Sequence, residues 1–267
     1  MNVSVIIAYY KAIDNLRVIL SALNQQSSDG FEVIIAEDDN NEETIRFIEE
    51  NKNSYRFPII HINQEIDRGF RKNMMLNKAI LKSNTEMLVF IDGDCIPHRH
   101  FIKEYISNSE AGLILWGRRV MLGQRTSLDV LRSHSVQGFK FVSQLLSDSK
   151  SLKNGIYSPH VRLSIKHRGI WGCNWGVRKQ HLLDVNGYDE DYTTPTVGED
   201  EDIEWRLLDS GLKPKSMKNK AIVYHLDHPR SYSEEGWAVN LEMLRVKQEA
   251  NHIVCLNGLE KISNGDP

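Results

Sequence analysis

Apolar and polar positions along this chain follow two periods, and the switches between them mark its elements. Residues 3–9 are a β-branched, aromatic run without helical spacing, which predicts a buried strand. Asp14 then stands where it can cap a helix over 16–25, with Leu16, Ile19, Leu20 and Leu23 on one face. Strands are predicted again at 31–36, 58–62 and 87–91. Between them, 42–50 and 71–82 read as helices, the first turning Ile45 and Ile48 inward and the second Met75, Leu76, Ala79 and Ile80.

This alternation predicts βαβ units, a parallel sheet and right-handed crossovers. Open α/β sheets bind ligands beyond the carboxyl ends of their strands. The segments to examine are therefore 8–11, 37–41, 63–71 and 92–97, and all but the first carry carboxylates.

The second half is less regular. A strand is expected at 114–120, a helix at 128–146, and a Ser/Lys-rich break at 147–154. An apolar, aromatic stretch covers 169–177, and a helix starts near Lys179. Residues 202–209 form a helix ended by Gly211, 221–225 a short strand, and 234–254 a terminal helix. Trp205 and Trp237, at helical spacing among apolar neighbours, read as core.

Composition narrows the class. With 267 residues, 40% hydrophobic and 26% charged, the chain is an ordinary globular protein and neither disordered, collagenous nor a coiled coil. Cys95, Cys173 and Cys255 lie far apart without metal-ligand spacing, and read as reduced thiols of a cytoplasmic protein. No apolar run approaches a membrane span, and the chain opens directly on a strand, so no signal peptide is expected. A net charge of −3 argues against a nucleic-acid binder. That total conceals a basic segment, 125–168, with eight lysines and arginines against Asp129 and Asp148. It reads either as a solvated helical pair or as a surface for an anionic acceptor or the inner membrane leaflet.

Four motifs carry chemistry. Asp92-Gly93-Asp94 places two carboxylates at a strand end, where they can share a hard divalent cation and a ribose, and Gly93 lets a phosphate approach. Glu37-Asp38-Asp39-Asn40 can accept hydrogen bonds from a base, but equally decorates a helix N-terminus. Gly198-Glu199-Asp200-Glu201-Asp202 concentrates acids that repel unless a cation or proton is near, and one of them could serve as a general base. His225-Leu226-Asp227-His228 puts two potential ligands after a strand.

Taken in this order, the motifs resemble glycosyltransferase family 2. The resemblance rests on 3–10, 31–40, Asp92-Gly93-Asp94, Gly172-Cys173-Asn174, 186–190, Gly198-Glu199-Asp200 and Tyr224-His225, and runs from Val3 to about His228. The later half looks like the galactosyltransferase-type C-terminal part. The implied fold is α/β of the GT-A nucleotide-diphospho-sugar transferase kind, a mostly parallel sheet flanked by helices. It divides into a nucleotide-sugar half (1–100), an acceptor and catalytic half (101–233) containing the basic insertion 125–168, and a helical tail (234–267).

The resemblance also implies roles. Ala8 (for the family's proline), Tyr9, Tyr10, Glu37, Asp38, Asp92 and Gly93 would bind the donor, with Arg68, Arg71 and Lys72 near its diphosphate and Asn77 in the following helix. Asp94 and His225 would hold Mn2+ or Mg2+. Asp200 would be the base of an inverting transfer, with Glu199 sharing that role or binding the acceptor. By their own chemistry Trp171 and Trp175 read either as stacking faces for an acceptor sugar or as core, and Asn174 as a partner for an acceptor hydroxyl. The expected reaction moves a sugar, most simply from a UDP-sugar, to a saccharide or lipid-linked glycan in surface polysaccharide synthesis. The location would be cytoplasmic, with membrane contact through 125–168. A sugar-nucleotidyltransferase would open with a glycine-rich phosphate loop, which 8–11 is not. A non-catalytic glycan-binding relative should have lost the acids that are retained here.

Overall fold

The computed structural model of the chain describes residues 2–133, 148–160, 169–229 and 234–263. Its strands are β1 (Val3–Tyr9), β2 (Phe31–Glu37), β3 (Ile59–Asn63), β4 (Met87–Asp92), β5 (Cys95–Pro97), β6 (Leu113–Trp116), β7 (Arg118–Met121), β8 (Trp175–Arg178), β9 (Lys213–Ser216) and β10 (Ile222–His225). Its helices are α1 (Ile13–Asn24), α2 (Glu42–Asn51), α3 (Lys72–Lys82), α4 (Phe101–Asn108), α5 (Gln124–Ser133), α6 (Lys179–Asp184), α7 (Glu199–Asp209), α8 (Glu234–Glu249) and α9 (Leu259–Ser263).

A seven-stranded sheet runs in the order β3-β2-β1-β4-β8-β6-β9, and a three-stranded sheet in the order β5-β10-β7. The first four strands pair in parallel, as their β-branched runs predict, while β8 lies antiparallel to both β4 and β6. Successive residues feed opposite faces. Val3, Val5 and Ile7 enter one core with Leu16, Ile19, Leu20 and Leu23 of α1. Ile6, Ile34, Leu88 and Phe90 enter the other with Met75, Leu76, Ala79 and Ile80 of α3. Truncating one such fully buried side chain costs about 2–5 kcal/mol.

The parallel register brings strand ends together. Tyr9 pairs with Glu37 and Ala8 with Asp92, so the acidic segments after β2 and β4 flank the end of β1. The Gly93 amide donates to the Ala8 carbonyl at 2.7 Å, and that of Asp38 to the Tyr9 carbonyl at 2.8 Å. A Cβ at Gly93 would lie 2.9 Å from the Ala8 oxygen. Contact with β1 therefore leaves no room for a side chain at Gly93.

Several expectations are corrected. Helix α1 starts at Ile13 with Ala12 at its N-cap, so Asp14 lies within the first turn and caps nothing. The strand expected at 114–120 splits at Gly117, whose missing Cβ leaves room for the Asn174 side chain, and the chain then passes from the large sheet to the small one. Within 169–177, only the end from Trp175 is strand. The helix expected at 128–146 begins earlier, at Gln124, and 134–147 lies outside the described residues. Helix α7 starts at Glu199, three residues before the expected point, on Gly198 with φ +108°. That start places Glu199 and Asp200 in its first turn. The buried Asp202–Arg206 pair at 2.6 Å holds the helix down, and Arg206 also donates to the Val185 and Gly187 carbonyls. Breaking such a buried pair costs about 3–5 kcal/mol. The tail helix ends at Glu249, and the chain then turns back to bury Cys255 and Leu259 against the main body.

Candidate active site

Two cavities meet at the carboxyl edge of the large sheet, and Asp92 lines both. One, of about 410 Å3, is walled by Ala8, Tyr9, Tyr10, Asp38, Lys72 and Glu199, among others. The second, of about 500 Å3, holds Asp94, Arg119, Lys150, His225 and His228.

In the first, Asp38 is buried and accepts from Gln64 Nε2 at 2.8 Å and from the Arg71 amide at 2.9 Å. Burial outweighs these bonds and pushes its carboxyl up to about 6. Tyr9 is also buried, its hydroxyl 3.2 Å from Thr44 Oγ1, while Tyr10 is exposed. Glu37 does not line this cavity. Its carboxylate pairs with His61 Nε2 at 2.7 Å beneath the sheet edge, which corrects its donor-binding assignment.

Lys72 links the acidic motifs. Its ammonium lies 3.6 Å from Asp92 Oδ1 and 3.6 Å from Glu199 Oε1. Burial opposes its charge, but Asp92, Asp200 and Glu199 together hold it well above the ordinary lysine range. Arg68 and Arg71 sit elsewhere. They line a separate cavity of about 340 Å3 with Glu190 and Asp191, and the Arg71 guanidinium donates to the Phe70 carbonyl. Of these three basic residues, Lys72 is the one whose side chain pairs with Asp92 and Glu199, while Arg71 meets Asp38 through its amide.

Asp200 projects from the first turn of α7. Its Oδ2 accepts the Gly172 amide at 2.6 Å, and its Oδ1 is buried without a partner. Desolvation, partly offset by Lys72, pushes this carboxyl up to about 7. The Glu199 carboxyl is also raised by burial, and its Oε2 has no partner.

In the second cavity, Asp94 Oδ2 lies 3.2 Å from His225 Nε2 and 3.0 Å from His228 Nε2. One ligand atom from each lies within 4.8 Å of the others. Burial would raise the Asp94 carboxyl, but its two histidine partners hold it well below the ordinary range. His228 is pushed up to about 9, chiefly by Asp94. One carboxylate and two imidazoles converging this way fit a divalent ion. Sequence reasoning left His228 open, because spacing alone does not show which of 225–228 turns toward Asp94. It missed Arg119 altogether, for lack of any motif around it.

The acceptor candidates divide. Trp171 is 41% exposed, and Arg118 lies 4.4 Å from its ring. Trp175 is core, stacked on Phe90 at 4.7 Å. Asn174 is fully buried, accepting from Tyr105 at 2.7 Å and donating to the Arg118 and Ala221 carbonyls, so it positions strands and meets no acceptor. Asn77 is likewise committed, donating to the Tyr188 carbonyl and Glu190. Trp205 is half-buried and bonds Asp209, and Trp237 is 50% exposed, so neither is core. Of the basic segment, Arg125, Arg132, Lys150 and Lys153 are described, whereas Lys140, Arg162, Lys166 and Arg168 lie outside the described residues. Among the described residues, no helix is long and apolar enough to cross a membrane.

A mainly parallel sheet with a nucleoside-sized cavity and a carboxylate–imidazole cluster at its carboxyl edge defines the GT-A class of glycosyltransferase folds. Comparison with known proteins agrees. Residues 4–184 match glycosyl transferase family 2, to which this chain belongs, and residues 152–229 match the N-terminal domain of galactosyltransferase. The uncharacterized glycosyltransferase YfnE of Bacillus subtilis (strain 168) is 23% identical over 265 residues, covering 86% of this chain and 66% of its own length. TarS of S. aureus superposes with a TM-score of 0.61 at 17% identity, covering 92% of this chain and 39% of its own. The mannosyltransferase PcManGT of Pyrobaculum calidifontis, solved with GDP-Man and Mn2+, superposes with a TM-score of 0.60 at 15% identity, covering 94% of this chain and 64% of its own. The chain thus spans less than two thirds of the length of each of these relatives.

Proposed function

We propose that this chain is a metal-dependent, inverting glycosyltransferase that moves a sugar from a UDP-sugar to a saccharide hydroxyl in surface polysaccharide synthesis. The observation that carries the reading is Asp200. A carboxylate with an unpartnered oxygen and a raised pKa lies within electrostatic reach of Lys72 and Asp92, which line the nucleoside cavity, and next in sequence to Glu199, which also lines it. TarS has been solved with UDP and with UDP-GlcNAc, which supports a uridine donor.

In this reading the base lies against Asp38 and Tyr9, and the ribose against Asp92. Asp94, His225 and His228 would hold the ion. Two imidazoles in that set favour Mn2+ over Mg2+, which prefers all-oxygen ligands. When bound, the ion neutralises charge developing on the diphosphate leaving group. Asp200 takes the proton of the acceptor hydroxyl as the new glycosidic bond forms and the bond from the anomeric carbon to the diphosphate oxygen breaks. Lys72 keeps Asp92, Glu199 and Asp200 from repelling one another and adds positive charge beside the leaving group. The exposed edge of Trp171 offers a face for an acceptor sugar, and the described cations of the basic segment offer a surface for an anionic, lipid-linked one.

The test is nucleoside diphosphate release from a panel of nucleotide sugars, with and without Mn2+. Metal-dependent release from a UDP-sugar is expected, and Asp200→Asn should lower it by about 10²–10⁴-fold with donor binding intact. Failure of every nucleotide sugar to bind or react would overturn the reading.

A further inference from the structure

Cysteines far apart in sequence are adjacent in the fold. Cys95 opens β5 directly after Asp94, and Cys173 lies two residues before β8. Both are buried, and the Cys95 thiol donates to Asp94 Oδ1 at 3.1 Å. A carboxylate oxygen of Asp92 and the two sulfurs lie within 4.8 Å of one another. Nothing in the proposed transfer uses either sulfur. Cys255 is elsewhere, its thiol 3.1 Å from the Asn186 carbonyl.

We propose that Asp92, Cys95 and Cys173 form a second cation site, for a thiophilic divalent ion such as Zn2+, directly behind the Asp94, His225 and His228 cluster. Two thiolates and a carboxylate select Zn2+ over the hard ions Mg2+ and Mn2+. Bonds of about 2.3 Å to sulfur and about 2.0–2.2 Å to oxygen separate tetrahedral ligand atoms by roughly 3.5–3.8 Å, so the trio needs only a small contraction. Three protein ligands leave a fourth position for water or another ligand, and of the three only Asp92 lines the cavity that holds Asp94. Arg119 lies within electrostatic reach of Cys173, Cys95 and Asp92, and its Nε is buried without a partner. Binding replaces two S–H bonds by two S–metal bonds and releases two protons, with no change in oxidation state.

Asp92 belongs to both the nucleoside and the cation cavities. An ion that captures it removes the proposed ribose contact, so Zn2+ would inhibit transfer in a manner that excess Mn2+ at Asp94 does not relieve. That consequence rests on the transferase reading. The binding itself does not.

The experiment is a titration of the full chain with Cd2+, a spectroscopic substitute for Zn2+, at saturating Mn2+. One equivalent should bind with a sulfur-to-cadmium charge-transfer band in the ultraviolet. The affinity should fall at least about 10-fold in Cys95→Ala and in Cys173→Ala, and stay unchanged in His228→Ala. A band that survives in both cysteine variants, or that disappears in His228→Ala, overturns the proposal. Should the cysteine variants not fold, X-ray absorption of the Zn2+-loaded parent decides: two sulfur ligands support the site, and fewer overturn it. If Zn2+ binds through both sulfurs but leaves transfer unaffected, only the inhibitory consequence fails. If no transfer is found with any donor, the sulfur signal still decides the site.

Discussion

The amide of Gly172 donates to Asp200 Oδ2 at 2.6 Å, and a Cβ on that glycine would lie 2.9 Å from Oδ1 of the same carboxylate. It would also lie 3.3 Å from Lys72 Nζ. The glycine is therefore what allows the acid of α7 to lie against the loop before β8. Gly172→Ala should push Asp200 out of place and shift the flexible end of Lys72, a lining residue of the nucleoside cavity, by only a few tenths of an ångström. A displacement of about 1 Å at a reacting group costs roughly 10² in rate. We expect kcat to fall by that order with the donor KM within a few-fold. Steady-state kinetics check this, and an unchanged kcat would remove Asp200 from the base role.

The raised carboxyl of Asp200 sets a pH dependence. With a value of about 7, it is increasingly protonated as pH falls below neutrality, and a protonated acid cannot accept the hydroxyl proton. The rate should drop tenfold per pH unit on the acid side of about 7. Stability moves the other way. The native state holds a proton that the unfolded chain releases, so Asp200 makes the protein less stable as pH rises from about 4 to about 7, and the loss levels off above that. Asp200→Asn removes this penalty. The variant should be inactive yet about 1–2 kcal/mol more stable than the parent at pH 8, with no difference at pH 3.5. Urea melts at the two pH values test the sign.

Lys72 and the arginines beside it in sequence have different fates. Lys72 lowers Asp200 and Glu199, so Lys72→Met should raise both carboxyls further and move the acid limb of the rate profile up by about one pH unit. The donor KM should rise as well. Arg68→Ala should do neither, because Arg68 lines a different cavity. Equal effects of the two substitutions on donor KM would place the diphosphate beside Arg68 and contradict the geometry.

Much of this architecture was legible in the sequence for a simple reason. Strands buried on both faces appear as unbroken β-branched runs, and the fold rule places ligands after their ends, which singled out Asp38, Asp92 and Asp94. Side-chain direction was not legible. Glu37 follows the same rule as Asp38 but pairs with His61 of β3, a partner 24 residues away. Asn77 and Asn174 occupy motif positions, yet each is consumed by buried partners up to 113 and 69 residues distant. Nothing local reveals such pairing. The convergence of Cys95 and Cys173 was hidden for the same reason, since it depends on β8 returning antiparallel beside β4.

The two histidines beside Asp94 should contribute unequally to the cation. His225 is buried on β10, fixed by pairing with Cys95 of β5, and its Nδ1 has no partner among the described residues. His228 is 45% exposed in its side chain and follows the strand end. A ligand held by a strand is pre-organised, whereas one on an exposed loop loses more conformational freedom on binding. Removing either leaves Asp94 and one imidazole, too few to hold Mn2+ tightly without the donor's phosphates. His228→Ala should weaken Mn2+ by about 10-fold and His225→Ala by about 100-fold, with Asp94→Asn at least as severe. At saturating Mn2+, kcat in His228→Ala should recover to within a few-fold of the parent. Free Mn2+ measured by electron paramagnetic resonance gives the affinities, and the activation curve gives the recovery. If His228→Ala leaves Mn2+ affinity unchanged, the ion is held by Asp94 and His225 without it, and the proximity of His228 to Asp94 is only an ion pair.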